Sequence, residues 1–307
     1  MQNYISVIGG INIDIKGIAD NDSAQADSHE GKVHFASGGV SRNISENLAR
    51  LNVPVYLFGC VGNDFYGNFI LERTSSSGVS IQHILKSDSA STAKYLSVSK
   101  SGGDLVYAVN DMKDSLGEIT AEYIQKNSSV LSQSKLIILD TNLSKYVLKD
   151  VISLANENGI PVFIDTVSAK KAEVINELKG TVDFLSPNYL EFETIFGKGT
   201  GKIFDEHHPN KFKYIILKKG ASGVSLYDFT NKHLIDFKAI ELNAIEPNGA
   251  GDSFNAGFIF GLINNYPVEE CVKLGICAAY FTLQCVESVS EKLTPANLLE
   301  VYSKNFK

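Results

Sequence analysis

The stretch EPNGAGDSFNAG, at 246–257, joins a run of small residues to an apolar pattern that has the period of a helix. Asn248 is a suitable N-cap for that helix. The N–H groups of Gly249, Ala250 and Gly251 are then expected at the helix N-terminus, without partners inside the helix. Free N–H groups and the helix dipole both favour a negative charge there. The stretch therefore predicts an anion site.

Asp252 follows this turn and lies in the first turn of the predicted helix. A carboxylate at that position often only caps the helix or balances its dipole. It could also be a base placed beside a phosphate pocket. The stretch by itself leaves both interpretations open, so the rest of the chain has to decide between them.

The common nucleotide and hydrolase motifs are absent. The GAG turn lacks the third glycine of G-x-G-x-x-G, and GKGTGK at 197–202 lacks the first glycine and the final Ser or Thr of a Walker A loop, so it is interpreted as an exposed helix-ending loop. Ser253 has no later histidine to act as its base, because His233 is the last one. His207 and His208 are expected to be solvated rather than metal ligands.

The composition is that of a soluble globular protein of 307 residues. A net charge of −7 without a basic stripe argues against nucleic acid as a partner. Four cysteines without a C-x-x-C pair indicate free thiols in a reducing cytosol. MQNYISVIGG does not resemble a signal peptide, and no apolar run approaches membrane-spanning length. We expect a cytoplasmic protein with no membrane partner.

Apolar runs of strand length alternate with segments of helical period from residue 135 onward. Such alternation predicts a parallel sheet covered by helices on both faces. YISVIGG and VYLFGCVG predict further strands of the same sheet, and VSRNISENLARLN predicts an amphipathic helix between them. The predicted strands are LIIL, VFI, VDFL and YIIL, and the predicted helices include 145–156 and 170–178.

Two segments, 11–36 and 92–111, break this rhythm. The second contains two strand-like runs on either side of a Ser-Gly-Gly-Asp turn at 101–104, which predicts a hairpin. We expect the two segments to form a small β-layer that serves as a lid over a site.

Each run from 135 onward is followed by a polar residue: Asp140, Asp165, Asn188 and Lys218. Ligands of open α/β sheets bind beyond the carboxyl ends of the strands. Any one of these residues could simply mark the start of a polar loop. Together with the GAG turn, they favour a small-molecule site.

Two longer stretches resemble known signatures. GGVSRNISENLARLN at 38–52 and PNGAGDSFNAGF at 247–258 are similar to the two signatures of the ribokinase-like, or phosphofructokinase-B type, sugar kinases, and INID, SPNYLE and LKKGASGV resemble the motifs between them. The resemblance covers nearly the whole chain. It implies one domain over 1–307, a three-layer α/β/α sandwich with a mostly parallel central sheet and a small β-sheet lid.

Within that family, AVNDM and DTVSAKK resemble the pseudouridine kinase subfamily. This resemblance implies transfer of the γ-phosphoryl group of ATP to the 5′-hydroxyl of pseudouridine. Another sugar or nucleoside kinase of the family, such as a ribokinase or an inosine-type kinase, is the first alternative. A nucleoside-binding regulator without catalysis is the second, and an α/β domain without a ligand is the third.

The resemblance also implies roles for individual residues. Asp252 would be the base, and the N–H groups of residues 249–251 would form the anion hole. Asn188 and Glu191 would hold Mg²⁺ through water, although a capping box explains the same pair. Lys218, Gly220 and Gly223 would contact the nucleotide, and Asp165 and Lys170 would assist the metal–phosphate network.

The nucleoside would lie under the lid. The residues assigned to it are Asn12, Asp14, Gly38, Gly39 and Asn43, with Arg42 as a phosphate partner or an exposed helix residue, and Lys94 and Asp111 as lid residues that contact the base. Glu246, where relatives commonly have Asp, and Ser288 are candidates for a K⁺ site. The exposed edge of the lid hairpin predicts a homodimer through the lid.

Overall fold

Strands and helices alternate along the chain much as the apolar runs predict. The computed structural model describes residues 4–20, 28–100, 105–198, 204 and 211–307. The strands are β1 (Ile5–Ile8), β2 (Asn12–Ala19), β3 (Gly31–Gly38), β4 (Val55–Gly62), β5 (Ser80–Ser87), β6 (Ala93–Lys100), β7 (Leu105–Asp111), β8 (Ile137–Asp140), β9 (Val162–Asp165), β10 (Val182–Ser186), β11 (Phe212–Lys218), β12 (Val224–Asp228) and β13 (His233–Phe237).

Eight helices of the described residues lie in connections between these strands, and three follow the last strand. They are α1 (Val40–Arg50), α2 (Phe65–Ser76), α3 (Lys113–Gly117), α4 (Ala121–Lys126), α5 (Ser128–Leu131), α6 (Lys145–Glu157), α7 (Ala169–Ala172), α8 (Tyr189–Phe196), α9 (Ala250–Ile263), α10 (Val268–Thr282) and α11 (Pro295–Phe306).

The central sheet has the order β13-β12-β11-β10-β9-β8-β1-β4-β5. It is parallel except for β12 and β13, which pair antiparallel at one edge. Successive side chains of each strand enter two separate cores: Phe163 packs with α1, α9 and α10, whereas the adjacent Ile164 packs with α6 and α8. Because both faces are covered, the strands are continuously apolar rather than alternating. The predicted three-layer sandwich with a mostly parallel sheet is confirmed.

The lid is a second sheet with the order β3-β2-β6-β7. Its strands come from the two predicted segments, although β3 continues to Gly38. Strands β2 and β6 are parallel, and the predicted hairpin of β6 and β7 is antiparallel. The 101–104 turn lies outside the described residues, as do most of the GKGTGK loop and both His207 and His208. The described start of that loop does end a helix, because Gly197 is the C-cap of α8.

The prediction of an α-helix over 170–178 is wrong for most of that segment. Only Ala169–Ala172 is α-helical, and a 3-10 turn occupies Glu173–Glu177. The buried residues Ala172, Ile175 and Leu178 recur every three residues. That spacing matches the three-residue turn of a 3-10 helix rather than the 3.6 residues of an α-helix.

The four cysteines have no disulfide partner. Burial raises the pKa of the thiols of Cys60, Cys271 and Cys277 to about 12, so these side chains are unreactive. Within the described ranges, no helix combines the length and the apolar character needed to cross a bilayer.

Candidate active site

The strand ends bring some of the predicted polar residues together. Asp165, at the end of β9, accepts hydrogen bonds from Lys218 Nζ at 2.9 Å and from Asn255 Nδ2 at 2.7 Å. Asn188 lies beside Lys218, since the two form an isolated parallel bridge. Asp140 has a structural role instead. It is buried, and its Oδ2 accepts from Gly10 N at 2.8 Å and Ser41 Oγ at 2.7 Å, which ties β1, β8 and α1 together.

The predicted anion turn is at the start of α9. The N-cap is Gly249 rather than Asn248, and it has a left-handed φ of 79°. A Cβ at Gly249 would lie 2.2 Å from the carbonyl oxygen of Ser288, so the turn fits only glycine there. Ala250 N–H donates to Pro247 O at 3.3 Å, whereas in the described part of the chain no hydrogen bond engages Gly251 N–H. The anion donor is therefore centred on Gly251 more than on Ala250.

Asp252 lies one residue further on and is 9% exposed. Burial is the main cause that raises the pKa of its carboxyl group to about 8, and the charge of Asp165 adds to it. A hydrogen bond from Asn43 Nδ2 to Asp252 Oδ2, 2.9 Å long, and the charge of Lys218 lower the pKa. A carboxylate with a pKa near the working pH is suited to accept a proton.

The pH dependence of kcat/KM tests the roles of Asp252 and Asn43. Asp252 must be ionised to act as a base, so kcat/KM is expected to rise with pH through about 8. Asn43→Ala removes a hydrogen bond that favours the carboxylate, so the midpoint should move to higher pH. The measurement is kcat/KM across neutral and alkaline pH. An unchanged midpoint in the variant would contradict the role of Asn43.

The first signature contacts Asp252 through the hydrogen bond from Asn43. Gly38 lies against Asp14, because a Cβ there would be 2.5 Å from Asp14 Oδ1. Asn12 Nδ2 donates to Asp14 Oδ1 at 2.7 Å, and burial raises the pKa of Asp14. Gly39 has a φ of 102° and begins α1, on which Asn43 lies. The structure thus brings the predicted glycines, Asn12 and Asp14 into one group.

Arg42 is neither exposed nor available to a phosphate, which corrects both interpretations of it. It is 3% exposed. Its guanidinium group donates to Glu46, to Thr74 Oγ1 at 3.3 Å, to Ser37 O at 3.2 Å and to Asn43 Oδ1 at 3.0 Å. Because Arg42 binds the oxygen of the Asn43 amide, the nitrogen is directed at Asp252. Arg42 is a positioning residue.

The two lid residues predicted to contact the base lie on the wrong face. Lys94 pairs in register with Ile13 and Asp111, whereas Asp14 pairs with Tyr95. Register partners share a face, and neighbours along a strand alternate. Lys94 and Asp111 therefore lie on the face opposite Asp14, where they form a 3.6 Å ion pair with each other.

Three of the predicted nucleotide residues, Asn188, Lys218 and Gly220, line a pocket. Its volume is about 460 Å³, and its lining includes Asn188, Lys218, Gly220 and Ser222. Burial alone would lower the pKa of Lys218, but the carboxylates of Asp165, Glu191 and Asp252 raise it above the ordinary value. The amine is therefore held as a cation beside the pocket. Gly223, which ends the same turn, lies against the carbonyl oxygen of Phe237.

Asn188 and Glu191 form a complete capping box at the start of α8. Glu191 Oε2 accepts from Asn188 N at 2.8 Å and from Thr166 Oγ1 at 2.6 Å, and Oε1 accepts from Asn188 Nδ2 at 2.6 Å. The prediction that this pair caps the helix is thus confirmed, and it does not exclude a second role for Glu191. Among the described residues, Asn188 Nδ2 alone donates to Glu191 Oε1, which leaves one acceptor position of that oxygen for a water molecule.

Lys170, Glu246 and Ser288, which were predicted to act on the metal–phosphate network or on K⁺, have three different environments. Lys170 is exposed and pairs with Glu173 at 2.7 Å, so it does not join Asp165. Glu246 pairs with Lys16 of the lid at 3.7 Å. Ser288 is buried, and its carbonyl oxygen lies against Gly249. Over the described ranges, no group of three or more His, Cys, Asp or Glu side chains is suited to hold a metal ion.

Sequence reasoning missed Asn255, which links Asp165 to α9 and also accepts from Ser186 Oγ at 2.7 Å. The available signal was its spacing. Asn255 lies three residues after Asp252, so the two share one face of α9. It also missed Thr166, whose hydroxyl group binds Glu191.

Residues 2–294 match the model of the pfkB family of carbohydrate kinases, and the chain belongs to this family. It is 32% identical to the pseudouridine kinase of Escherichia coli (strain K12), over 98% of this chain and 96% of that protein.

Other relatives act on other substrates. The guanosine-inosine kinase of Exiguobacterium acetylicum is 25% identical, over 97% of this chain and 99% of that protein. The structure of Arabidopsis thaliana ribokinase complexed with ribose and ATP has a TM-score of 0.83 at 19% identity and covers 100% of both chains, which supports the fold. The family and its members identify this protein as a carbohydrate or nucleoside kinase.

Proposed function

We propose that this protein phosphorylates the 5′-hydroxyl of pseudouridine with ATP, giving pseudouridine 5′-phosphate and ADP. The observation that carries the chemistry is the buried Asp252, hydrogen-bonded to Asn43 at the start of α9. The similarity to a pseudouridine kinase over nearly the whole chain supports the choice of substrate. Four free cysteines suit a reducing compartment, so we place the reaction in the cytoplasm.

Each group has a defined task in this reaction. Asp14 and Asn12 bind ribose hydroxyl groups, since adjacent acceptors and donors match a vicinal diol. Asp252 takes the proton of the attacking hydroxyl. The N–H of Gly251, with the dipole of α9, stabilises the charge that develops on the phosphoryl oxygens. Such transfer depends on positioning and charge neutralisation more than on covalent chemistry.

The residues present fit ATP with Mg²⁺. The pocket of about 460 Å³ has Lys218 as a partly buried cation for the phosphates. Glu191 Oε1 can accept a hydrogen bond from a metal-bound water. Asp165 already accepts hydrogen bonds from Lys218 and Asn255. When bound, Mg²⁺ would neutralise phosphate charge through waters held by Glu191 and Asn188.

A substrate panel tests the proposal. We expect ADP release with pseudouridine at the highest kcat/KM among pseudouridine, uridine, inosine and ribose. A higher value for ribose or inosine would select the corresponding kinase instead. The absence of turnover with every substrate, together with binding of a nucleoside, would favour a regulator without catalysis.

We propose no obligatory role for K⁺, because Glu246 is occupied by Lys16 of the lid. The same panel with potassium or with sodium measures this directly. A large loss of kcat in sodium would contradict it and would assign the region around Glu246 and Ser288 to a monovalent cation.

We also propose that the lid pairs with a second copy of this chain. One lid face has exposed apolar side chains, among them Val33, Phe35, Leu96 and Val109. They share the face of Ile13 and Lys94 by register, away from Asp14. We expect a dimer in sedimentation that Phe35→Asp converts to monomer; a monomeric wild-type protein would contradict it.

A further inference from the structure

Two adjacent lysines after β9 have opposite environments. Lys170 is exposed and pairs with Glu173. The side chain of Lys171 is half-buried, and its amine donates to Asn142 Oδ1. Burial lowers the pKa of Lys171, although the charge of Asp140 opposes this. Among the described residues, no carboxylate lies within ion-pair distance of Lys171. The half-buried ammonium group therefore has one amide partner and two donors left over.

Asn142 places this amine beside the sugar site. The Asn142 amide nitrogen would be 2.8 Å from a Cβ at Gly10, and the Gly10 carbonyl oxygen would be 2.4 Å from a Cβ at Gly39. A single backbone residue thus separates the Asn142–Lys171 pair from the glycines of the first signature.

The backbone that leads to Lys171 is strained. Val167 has a φ of 57°, a conformation that β-branched residues avoid. Its N–H donates to Asp165 Oδ1 at 2.8 Å, which fixes the turn directly to the site. Strain of this kind persists where the surroundings enforce it, and it concentrates at binding and catalytic sites. The turn sets the start of α7, and with it the position of Lys171.

We propose that Lys171 and Asn142 bind the carbonyl and N–H edge of a pyrimidine base. This assignment rests on the proposed function, because it deepens the same nucleoside site. The ammonium group donates to a ring carbonyl oxygen, and the second acceptor position of Asn142 Oδ1 receives an adjacent ring N–H. A neutral base fits better than an anion, because the carboxyl group of Asp140 binds the Asn142 backbone N–H at 2.9 Å.

The test compares Lys171→Met with the matched control Lys170→Met. We expect Lys171→Met to raise the KM for pseudouridine by about 10–100-fold, the loss expected for a hydrogen bond from a charged donor. The control should leave KM unchanged. Ribose, measured as a competing ligand, has no base, so its inhibition constant should be the same in both variants and in the wild type. Thermal unfolding should show both variants folded.

Every outcome bears on the proposal. An unchanged KM in Lys171→Met overturns it, and so does an equal loss for pseudouridine and ribose, since that indicates a structural role. If Lys171→Met does not fold, Asn142→Ala is measured in its place, with the same expected split between nucleoside and ribose. A wild-type protein that neither binds nor phosphorylates pyrimidine nucleosides overturns the proposed function as well. A wild-type protein that does so, with no effect of Lys171→Met or Asn142→Ala, overturns this assignment alone.

Discussion

Asp252→Asn is expected to reduce kcat by about 10²–10⁴-fold, the usual effect of losing a positioned base. Asparagine keeps the size of the side chain but cannot take the proton of the attacking hydroxyl. The KM for the nucleoside should change little, because Asn43 can still bind the oxygen of the new amide. Steady-state kinetics at a pH above about 8 measures this, since Asp252 is then ionised in the wild type.

The same substitution should not weaken the fold. The pKa of Asp252 is about 8 in the folded protein, well above the ordinary 3.8. A raised pKa means that this carboxyl group ionises more easily in the unfolded chain than in the folded protein. The free energy of unfolding therefore falls as pH rises from about 4 to about 8. Asp252→Asn removes this cost, and its unfolding temperature at pH 8 should equal or exceed that of the wild type.

Asp150→Asn is the matched control, because Asp150 is an exposed residue of α6 away from the site. It should leave kcat and the unfolding temperature unchanged. Retention of most activity by Asp252→Asn would remove Asp252 from the role of base.

Gly249→Ala is expected to lower kcat by about 10²–10³-fold, as the loss of an anion-hole donor does. The new Cβ would lie 2.2 Å from Ser288 O, and alanine disfavours a φ of 79°. The turn must shift, and the N–H of Gly251 shifts with it. We also expect a lower unfolding temperature, because the shift strains the packing against Ser288.

Gly117→Ala is the control for this change, since a Cβ there meets nothing within 4 Å. It should behave as the wild type in both kinetics and unfolding. If Gly249→Ala is destabilised but fully active, the turn is structural and the anion hole lies elsewhere.

Sequence patterns predicted the features that depend on local backbone. The two glycine turns and the strand ends at Asp165 and Lys218 follow from residues close together in the chain. They therefore lie where the patterns indicate. The helix beginning was predicted one residue early, because the left-handed φ of Gly249 makes it the N-cap in place of Asn248.

The errors concern side chains whose surroundings come from distant parts of the chain. The guanidinium group of Arg42 is bound by Thr74 and Ser37, which belong to other elements, so the residues next to Arg42 in the chain do not show that it is unavailable to a phosphate. The face on which Lys94 lies depends on the register of β6 against β2, because a shift of one residue would move its side chain to the other face of the sheet. Lys170 and Lys171 are identical in type, and the contact of Lys171 with the distant Asn142 distinguishes the half-buried Lys171 from the exposed Lys170.

The most direct test of the central claim is to identify the product. Wild-type protein is incubated with ATP, Mg²⁺ and pseudouridine, and the phosphorylated position is assigned by ³¹P and ¹H NMR. Asp252→Asn serves as the blank. The site described above predicts pseudouridine 5′-phosphate and equimolar ADP from the wild type, and neither from the blank within the same time. ADP without a nucleoside phosphate, phosphorylation at another hydroxyl, or equal product from Asp252→Asn would contradict it.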